Sequence, residues 1–489
     1  MLRKSLLENN REKIFFVSFI FISSILFFTT IHPITIISGD DWSNLSLARP
    51  AYPMWKGFNP IKVLPEILMP YSGFIASFVI KPLGGTSYLF SLSLITALLL
   101  STLLAIFFYQ FYIFFTKTLN SDRKTTTFIG LIFFISLFGA FKSRTDSYYL
   151  LWEINLTCYY NYVIPALMNS AFVLYLSRKD IKEKLLTSNS YFFWSCILLT
   201  SYLCIFSNIF HNIILLIFCS LTAAINIINR KPIKSCYFYL AIIFAWIIAA
   251  FFEINGGRAS GIGNHTLFIK ESIVGFINFL KETNKTYRSL FILTMVFGFI
   301  FTFISEKKEE NYRNFLLFFW MSNICCFMSW ILLIFISSKS SADYVERPAA
   351  MWGFYMYAIM ASCIAADYFF KRFGKAIILL PILTLILLSK ALFPNYSLKE
   401  SHNMNLTYSR AYEITNNIIE QVKDADKKGL EEMTLRVPKT YSSDNWPFPV
   451  YMGTTVSETL KADGIINQRI KIIISPSEEL NREFNIPKY

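Results

Sequence analysis

Charge is what this sequence has least of. Asp, Glu, Lys and Arg together make up 16% of its 489 residues, against about 25% in soluble domains, and so few charges exclude a water-soluble enzyme. Histidine is scarcer still. Of four residues, His32, His265 and His402 show no ligand spacing, which argues against zinc, and His211 in the turn SNIFHN reads as a satisfied turn residue before a base. The eight cysteines all lie in or beside apolar stretches, form no C-x-x-C and stop at Cys363. That placement argues against a disulfide scaffold and against a metal cluster. An A-x-A cleavage pattern is missing after the first apolar block. Residues 14–31, preceded by Arg3, Lys4, Arg11 and Lys13, therefore read as a signal anchor with the N terminus in the cytoplasm. No internal repeat is found.

What the chain has in quantity is apolar surface: 54% hydrophobic residues and 50 phenylalanines. These residues are grouped into blocks of about 20, the length a helix needs to cross a bilayer core of about 30 Å. Ten further spans are expected near 87–116, 125–141, 157–177, 191–207, 212–229, 236–253, 289–305, 315–337, 349–370 and 376–393. The net charge of +14 is not a nucleic-acid signature, because Lys and Arg cluster between the spans. Clusters fall at every second connector: Lys117 with Arg123 and Lys124; Arg178, Lys179, Lys182 and Lys184; Arg230, Lys231 and Lys234; Lys307, Lys308 and Arg313; Lys371, Arg372 and Lys375. One orientation satisfies all of them, with those connectors cytoplasmic. Asp367 then lies near the cytoplasmic end of its span.

That orientation places nearly all the polar chain on the outer face, so the protein is expected to work there. Residues 66–83 are apolar but interrupted by Pro70 and Gly73, and a span there would invert every downstream connector. They read as a re-entrant or interfacial helix. In the 254–288 loop, Phe268, Ile273, Phe276, Ile277 and Leu280 recur at helical spacing, as in a helix lying in the outer interface. From about 394 onward the chain becomes polar and follows a helix, strand, helix, strand pattern. The expected architecture is an all-α polytopic membrane domain, 1–393, carrying a small extracytoplasmic α/β domain, 394–489.

Charges at the outer ends of spans are few enough to weigh singly. Ser38-Gly39-Asp40-Asp41-Trp42 follows the first span directly. Adjacent carboxylates repel, so the pair needs something to use it: a bound cation, an arginine, a substrate hydroxyl, or the N-terminus of a helix. Trp42 suits either an interfacial anchor or a sugar-stacking wall. Arg258 and Arg347 sit at membrane ends where a lipid phosphate would lie, and bidentate guanidinium bonds suit a phosphate; headgroup contact or a structural ion pair, with Glu346 beside Arg347, is the plainer alternative. Glu66 opens the interfacial stretch and is as well placed to favour a helix N-terminus as to bind substrate. Arg144 and Asp146 are able to pair with each other. Glu153 stands among Trp152, Tyr159, Tyr160 and Tyr162, the acidic and aromatic mixture of a sugar site.

Together these features resemble the GT-C glycosyltransferases, and within them the serotype-converting O-antigen glucosyltransferases of the Gtr type carried by temperate phages. GDDW at 39–42, the apolar stretch at 66–83, Trp152 followed by YVIP at 162–165, GGR at 256–258, Tyr344-Val345-Glu346-Arg347-Pro348 and the α/β tail carry the likeness across nearly the whole chain. It departs at 254–258, INGGR, where relatives often show a Pro-Gly pair.

The resemblance implies an inverting enzyme of the bacterial inner membrane, with its C terminus periplasmic. It would move glucose from undecaprenyl-phosphate glucose to O-antigen repeat units, with a donor-synthesising transferase and a flippase as companions and no nucleic acid. Asp40 or Asp41 would be the base, Arg258 and Arg347 would hold the donor phosphate, and Trp42, Glu66, Arg144, Asp146, Glu153, Tyr344 and Glu346 would line the substrates. The resemblance fixes no cofactor and leaves metal dependence open: Asp40 and Asp41 could hold a divalent cation or work with arginine alone. Transfer of another sugar to lipid A, protein or cell-wall glycan, and a lipid-linked saccharide flippase or polymerase, are the alternatives.

Overall fold

The computed structural model describes residues 2–46, 62–140, 151–153, 155–254, 268–304, 310–373, 406 and 408–486. The protein is a helical bundle with a small α/β unit on one end. In the bundle, α1 (Leu2–Leu26) runs through a π-helical turn to Ile31. Then come α2 (Gly39–Ser46), α3 (Val63–Gly84), α4 (Tyr88–Thr118), α5 (Arg123–Gly139), α6 (156–177), α7 (Lys179–Thr187), α8 (Tyr191–Ile205), α9 (Ile209–Ile228), α10 (Tyr237–Ile254), α11 (Ile269–Glu282), α12 (Lys285–Ile304), α13 (Glu310–Ser340) and α14 (Trp352–Phe373). Short polar connectors start several of these helices. Ser87, Asp122, Ser190 and Asn208 each accept a first-turn backbone N–H with their side chains, and such donors have no water partner within a membrane.

Seven helices among the described residues are long and apolar enough to cross a membrane: Arg11–Ile31, Val63–Gly84, Tyr88–Thr118, Ile209–Ile228, Lys285–Ile304, Asn311–Lys339 and Trp352–Phe373. The protein is a multi-pass membrane protein by this measure. Helices also occupy the expected spans at α5, α6, α8 and α10, whereas the one expected at 376–393 lies outside the described residues, as does the domain boundary at 393/394.

The connectors segregate to two ends. At one, Lys371 donates to the carbonyl of Leu119 at 2.6 Å, the Lys182 ammonium stands 5.5 Å from the Phe318 ring centre, and Lys371 pairs with Asp367 at 2.7 Å. This end gathers the described basic connectors. At the other, His32 meets the Glu153 carbonyl at 2.9 Å, Asn208 donates to the Asn161 carbonyl at 2.8 Å, and the His211 imidazole meets the Ala349 carbonyl at 2.8 Å.

The α3 helix differs from the sequence expectation. A re-entrant segment turns back midway, but Val63–Gly84 is one helix, with Pro70 inside it and a π-helical stretch at Ala76–Ile80. Its packing nevertheless ties both of its ends to the end of the bundle that holds His32. The Leu64 N–H donates to the Phe206 carbonyl at 3.1 Å, and Gly85 leads straight into the start of α4. In α11, Phe279 and Ser272 are buried against the bundle while Ile273, Val274, Ile277 and Leu280 stay exposed. The second apolar row suits a helix lying at a lipid interface.

The tail follows its predicted order: α15 (Tyr408–Lys427), β1 (Glu432–Pro438), α16 (Met452–Ala462), β2 (Lys471–Ser477) and the short α17 (Glu478–Glu483). The strands pair in parallel, with Glu432 opposite Lys471 and Pro438 opposite Ser477. Ala411, Ile414, Ile418, Val422 and Ala425 form the buried stripe of α15 at helical spacing, and Leu435, Val437, Ile472 and Ile474 supply the sheet side of the same core. With only two strands this unit leans on the bundle. The Gly39 N–H donates to the Pro447 carbonyl at 2.9 Å, the Thr459 hydroxyl to the Trp42 carbonyl at 2.9 Å, and the Thr415 hydroxyl to the Ile36 carbonyl. A side chain at Gly39 would strike Pro449, with the added Cβ 2.8 Å from its Cγ.

Candidate functional site

The two adjacent aspartates at the start of α2 have separate fates. Ser38 is the N-cap, and its hydroxyl faces the Asp41 N–H at 3.3 Å, while the Asp41 carboxylate reaches back to accept the Ser38 N–H at 3.1 Å. This reciprocal pair is a capping box. The same carboxylate also accepts the Ile37 N–H at 3.0 Å and the Thr157 N–H, from the first turn of α6, at 2.7 Å. Burial pushes the Asp41 carboxyl above the usual carboxylate range, and the amide donors pull the other way. Such an oxygen set is committed to orienting α2 against α6.

Successive helix residues point about 100° apart, so Asp40 faces elsewhere. It is exposed, and its carboxylate hydrogen-bonds the hydroxyl of Tyr451 on the tail. Burial, and then the Asp40 charge, push the Tyr451 phenol up to about 12. A cation shared by the two carboxylates does not fit this arrangement, because it would have to displace the three N–H groups that face Asp41. Among the described residues no group of three or more His, Cys, Asp and Glu side chains is placed to hold a metal ion.

Glu153 gains weight from the structure. Its side chain is buried, and desolvation raises its carboxyl to about 8 against the opposing pull of the Arg347 charge and a hydrogen bond with Cys158. The carboxyl is therefore mostly neutral at pH 7. Arg347 is half-buried, with its guanidinium carbon 4.8 Å above the Tyr344 ring centre; Phe210 packs on that ring at 5.0 Å between centres. The Cys158 thiol lies within electrostatic reach of Glu153, Asp41, Arg347 and Asp40 together. Four ionisable groups from three distant segments thus surround one point at the top of α6.

Several sequence assignments change. Trp42 is neither an exposed anchor nor a stacking wall, since it is 1% exposed in the contact between α2 and the tail. Glu346 does not serve as the partner of Arg347: its carboxylate accepts from the Asn278 amide at 2.9 Å and packs over Gly275. Tyr344 presents its ring to Arg347 and Phe210. Glu66 lies in the first turn of α3, half-buried, where an acidic side chain favours a helix N-terminus. Arg144, Asp146 and Arg258 lie outside the described residues.

Three contributors had no signal in the sequence. Tyr451 reaches the site only because the tail folds back on α2. His32 stacks on Trp152, with ring centres 5.8 Å apart, and holds the Glu153 backbone. Asp463 accepts the Tyr88 hydroxyl at 2.5 Å and lies against Gly73, where an added Cβ would sit 2.8 Å from its Oδ2. Burial raises the Asp463 carboxyl to about 6, with the Tyr88 bond pulling it back.

A general base requires an accessible carboxylate, and a phosphate site requires a guanidinium whose charge is not already cancelled. Asp40 is exposed, as the first demands, and the Glu153 carboxyl near Arg347 is mostly neutral at pH 7 and so does little to cancel that charge. Comparison with known proteins finds no family model, no curated protein and no solved structure that matches the chain.

Proposed function

We propose that the protein is a membrane glycosyltransferase that moves a sugar from a polyprenyl phosphate to a glycan acceptor, at the end of the bundle where the tail docks. The observation that carries this reading is the division of labour at α2: Asp41 is consumed by backbone amides and Asp40 is left exposed, while Asp40, Arg347 and Glu153 all lie within electrostatic reach of the Cys158 thiol. An acceptor hydroxyl attacks the anomeric carbon as the bond from that carbon to the phosphate oxygen breaks. The configuration inverts, Asp40 takes the hydroxyl proton, and the polyprenyl phosphate leaves with the bonding pair. Arg347, presented on Tyr344, holds the departing phosphate. Glu153, mostly neutral at pH 7, carries little charge to compete with the lipid anion for that guanidinium. The α3 helix and the outer apolar row of α11 are suited to guide a lipid at the interface.

Glucose from undecaprenyl-phosphate glucose and an O-antigen acceptor in the bacterial periplasm are the specific form of this reading, and the likeness to the Gtr-type enzymes supports it. The α3 packing supports the sidedness. Its midpoint touches the polar tail through Asp463, and a carboxyl at a bilayer centre would cost about 3 kcal/mol or more. The deciding experiment gives purified full-length protein one polyprenyl-phosphate sugar and candidate acceptor glycans, and follows release of the polyprenyl phosphate. Sugar-dependent release that Asp40→Asn abolishes is the expected result. Transport of the lipid-linked sugar across proteoliposomes without bond cleavage would replace the enzyme by a flippase.

A further inference from the structure

The end of the bundle away from the candidate site holds a separate cavity of about 620 Å³, formed by α7, α8, α9, α10 and their connector, and α13. That volume falls within the range of ligand sites. Lys182, Lys231 and Lys234 all line it, and Trp194, Leu198 and Phe238 supply an apolar wall. Leu198 is 60% exposed, so the wall opens on the flank of the bundle, toward lipid.

Among the described residues the lysines face no acid. None of the three forms an ion pair with a described residue; on the same helix, the Asp180 carboxylate is already taken by Arg178 at 2.6 Å, and Glu183 is exposed. The ammonium of Lys182 has the Phe318 ring at 5.5 Å for company. Burial, followed by the like charges of Lys231 and Lys179, lowers its affinity for the proton to about 8. Bringing three cations together beside an apolar wall is unfavourable unless an anion with an apolar body completes them.

We propose that this cavity binds an anionic diacyl phospholipid, with its phosphodiester among Lys182, Lys231 and Lys234 and its acyl chains along Trp194, Leu198 and Phe238. A free phosphate would satisfy the charges and leave the wall bare. A zwitterionic headgroup would bring an ammonium of its own toward the lysines. The requirement for both features selects an acidic membrane lipid, and nothing in the proposed transfer reaction depends on it.

The test uses full-length protein in neutral detergent, titrated with phosphatidylglycerol or phosphatidylcholine of the same acyl chains, or with glycerol 3-phosphate, and read by native mass spectrometry. Phosphatidylglycerol is expected to bind at least tenfold more tightly than either other ligand. Substituting Lys182, Lys231 and Lys234 with Gln should erase that preference, by about fivefold per lysine. Lys184→Gln, exposed on the same helix and outside the cavity, should keep it. Should the triple variant fail to fold, Lys231→Gln and Lys234→Gln, both at exposed positions of the connector, carry the same comparison. Equal binding of the two lipids by the unaltered protein, equal binding of glycerol 3-phosphate, or an undiminished preference in the Gln variants overturns the proposal.

Discussion

Thr157 donates its backbone N–H to Asp41 at 2.7 Å and so locks the first turn of α2 to the first turn of α6, 116 residues away in sequence. The contact fixes where the neighbouring Asp40 points. It also separates two roles that adjacent, chemically identical residues would otherwise share.

Asparagine substitutions should separate those roles. Asp41→Asn sets an amide NH2 where N–H groups now donate, and the loss of charge-assisted bonds should lower stability by about 3 kcal/mol. Asp40→Asn should leave thermal unfolding within about 0.5 kcal/mol while reducing transfer by a factor on the order of 10²–10⁴, the usual contribution of a general base. Thermal scanning and the transfer assay on the same preparations check both. Full activity in Asp40→Asn would end the base assignment.

Arg347 stacks on Tyr344 and lies near Glu153. Lysine keeps the charge but loses the planar fork and the stacking. Arg347→Lys should therefore lower kcat/KM for a polyprenyl-phosphate sugar by on the order of 10²-fold. A variant as active as the unaltered protein would remove Arg347 from the phosphate site.

Glu153 sets a pH dependence. Its folded-state carboxyl sits at about 8, above the ordinary value of 4.5. The folded protein thus holds a proton that the unfolded chain releases. Stability from this group is fully present below about pH 4.5 and is lost as pH rises through about 8. Above that pH the ionised Glu153 also competes with the donor phosphate for Arg347, so activity should fall on the alkaline side. Glu153→Gln should flatten both the stability slope and the alkaline limb. A profile unchanged by this substitution would show that another group titrates there.

Asp463 ties the tail to the bundle through Tyr88 and Ser77. Asp463→Ala leaves the buried Tyr88 hydroxyl without that acceptor, a loss of about 1–3 kcal/mol. Hydrogen exchange should rise in α16 and in the middle of α3, with the bundle core unchanged. Exchange confined to the sheet would mean that the contact does not hold the tail in place.

Sidedness is open to direct labelling. Reporter fusions at residue 180 and residue 442 should report the cytoplasm and the outer face respectively, and the same side for both would overturn the topology.

Much of the fold was legible from pattern. Apolar blocks of span length and basic clusters at alternate connectors are local statistics that the bilayer enforces, and the periodicities of 3.6 and 2 marked α15, β1, α16 and β2 in the tail. Pro70 and Gly73 suggested a break in α3. The helix continues instead, and Gly73 serves to admit the Asp463 carboxylate. Trp42 was ambiguous because an aromatic after a span suits the interface, and only the docked tail made it a core residue.

The sequence alone marked a chain that enters a membrane many times, because hydrophobic length acts residue by residue along the chain. Which carboxyl takes the backbone amides and which stays exposed, and that Glu153 and Arg347 come within electrostatic reach of each other, were decided by tertiary structure. A pKa, a capping partner or an exposed face depends on the groups that surround a side chain, and here those groups come from segments more than a hundred residues apart.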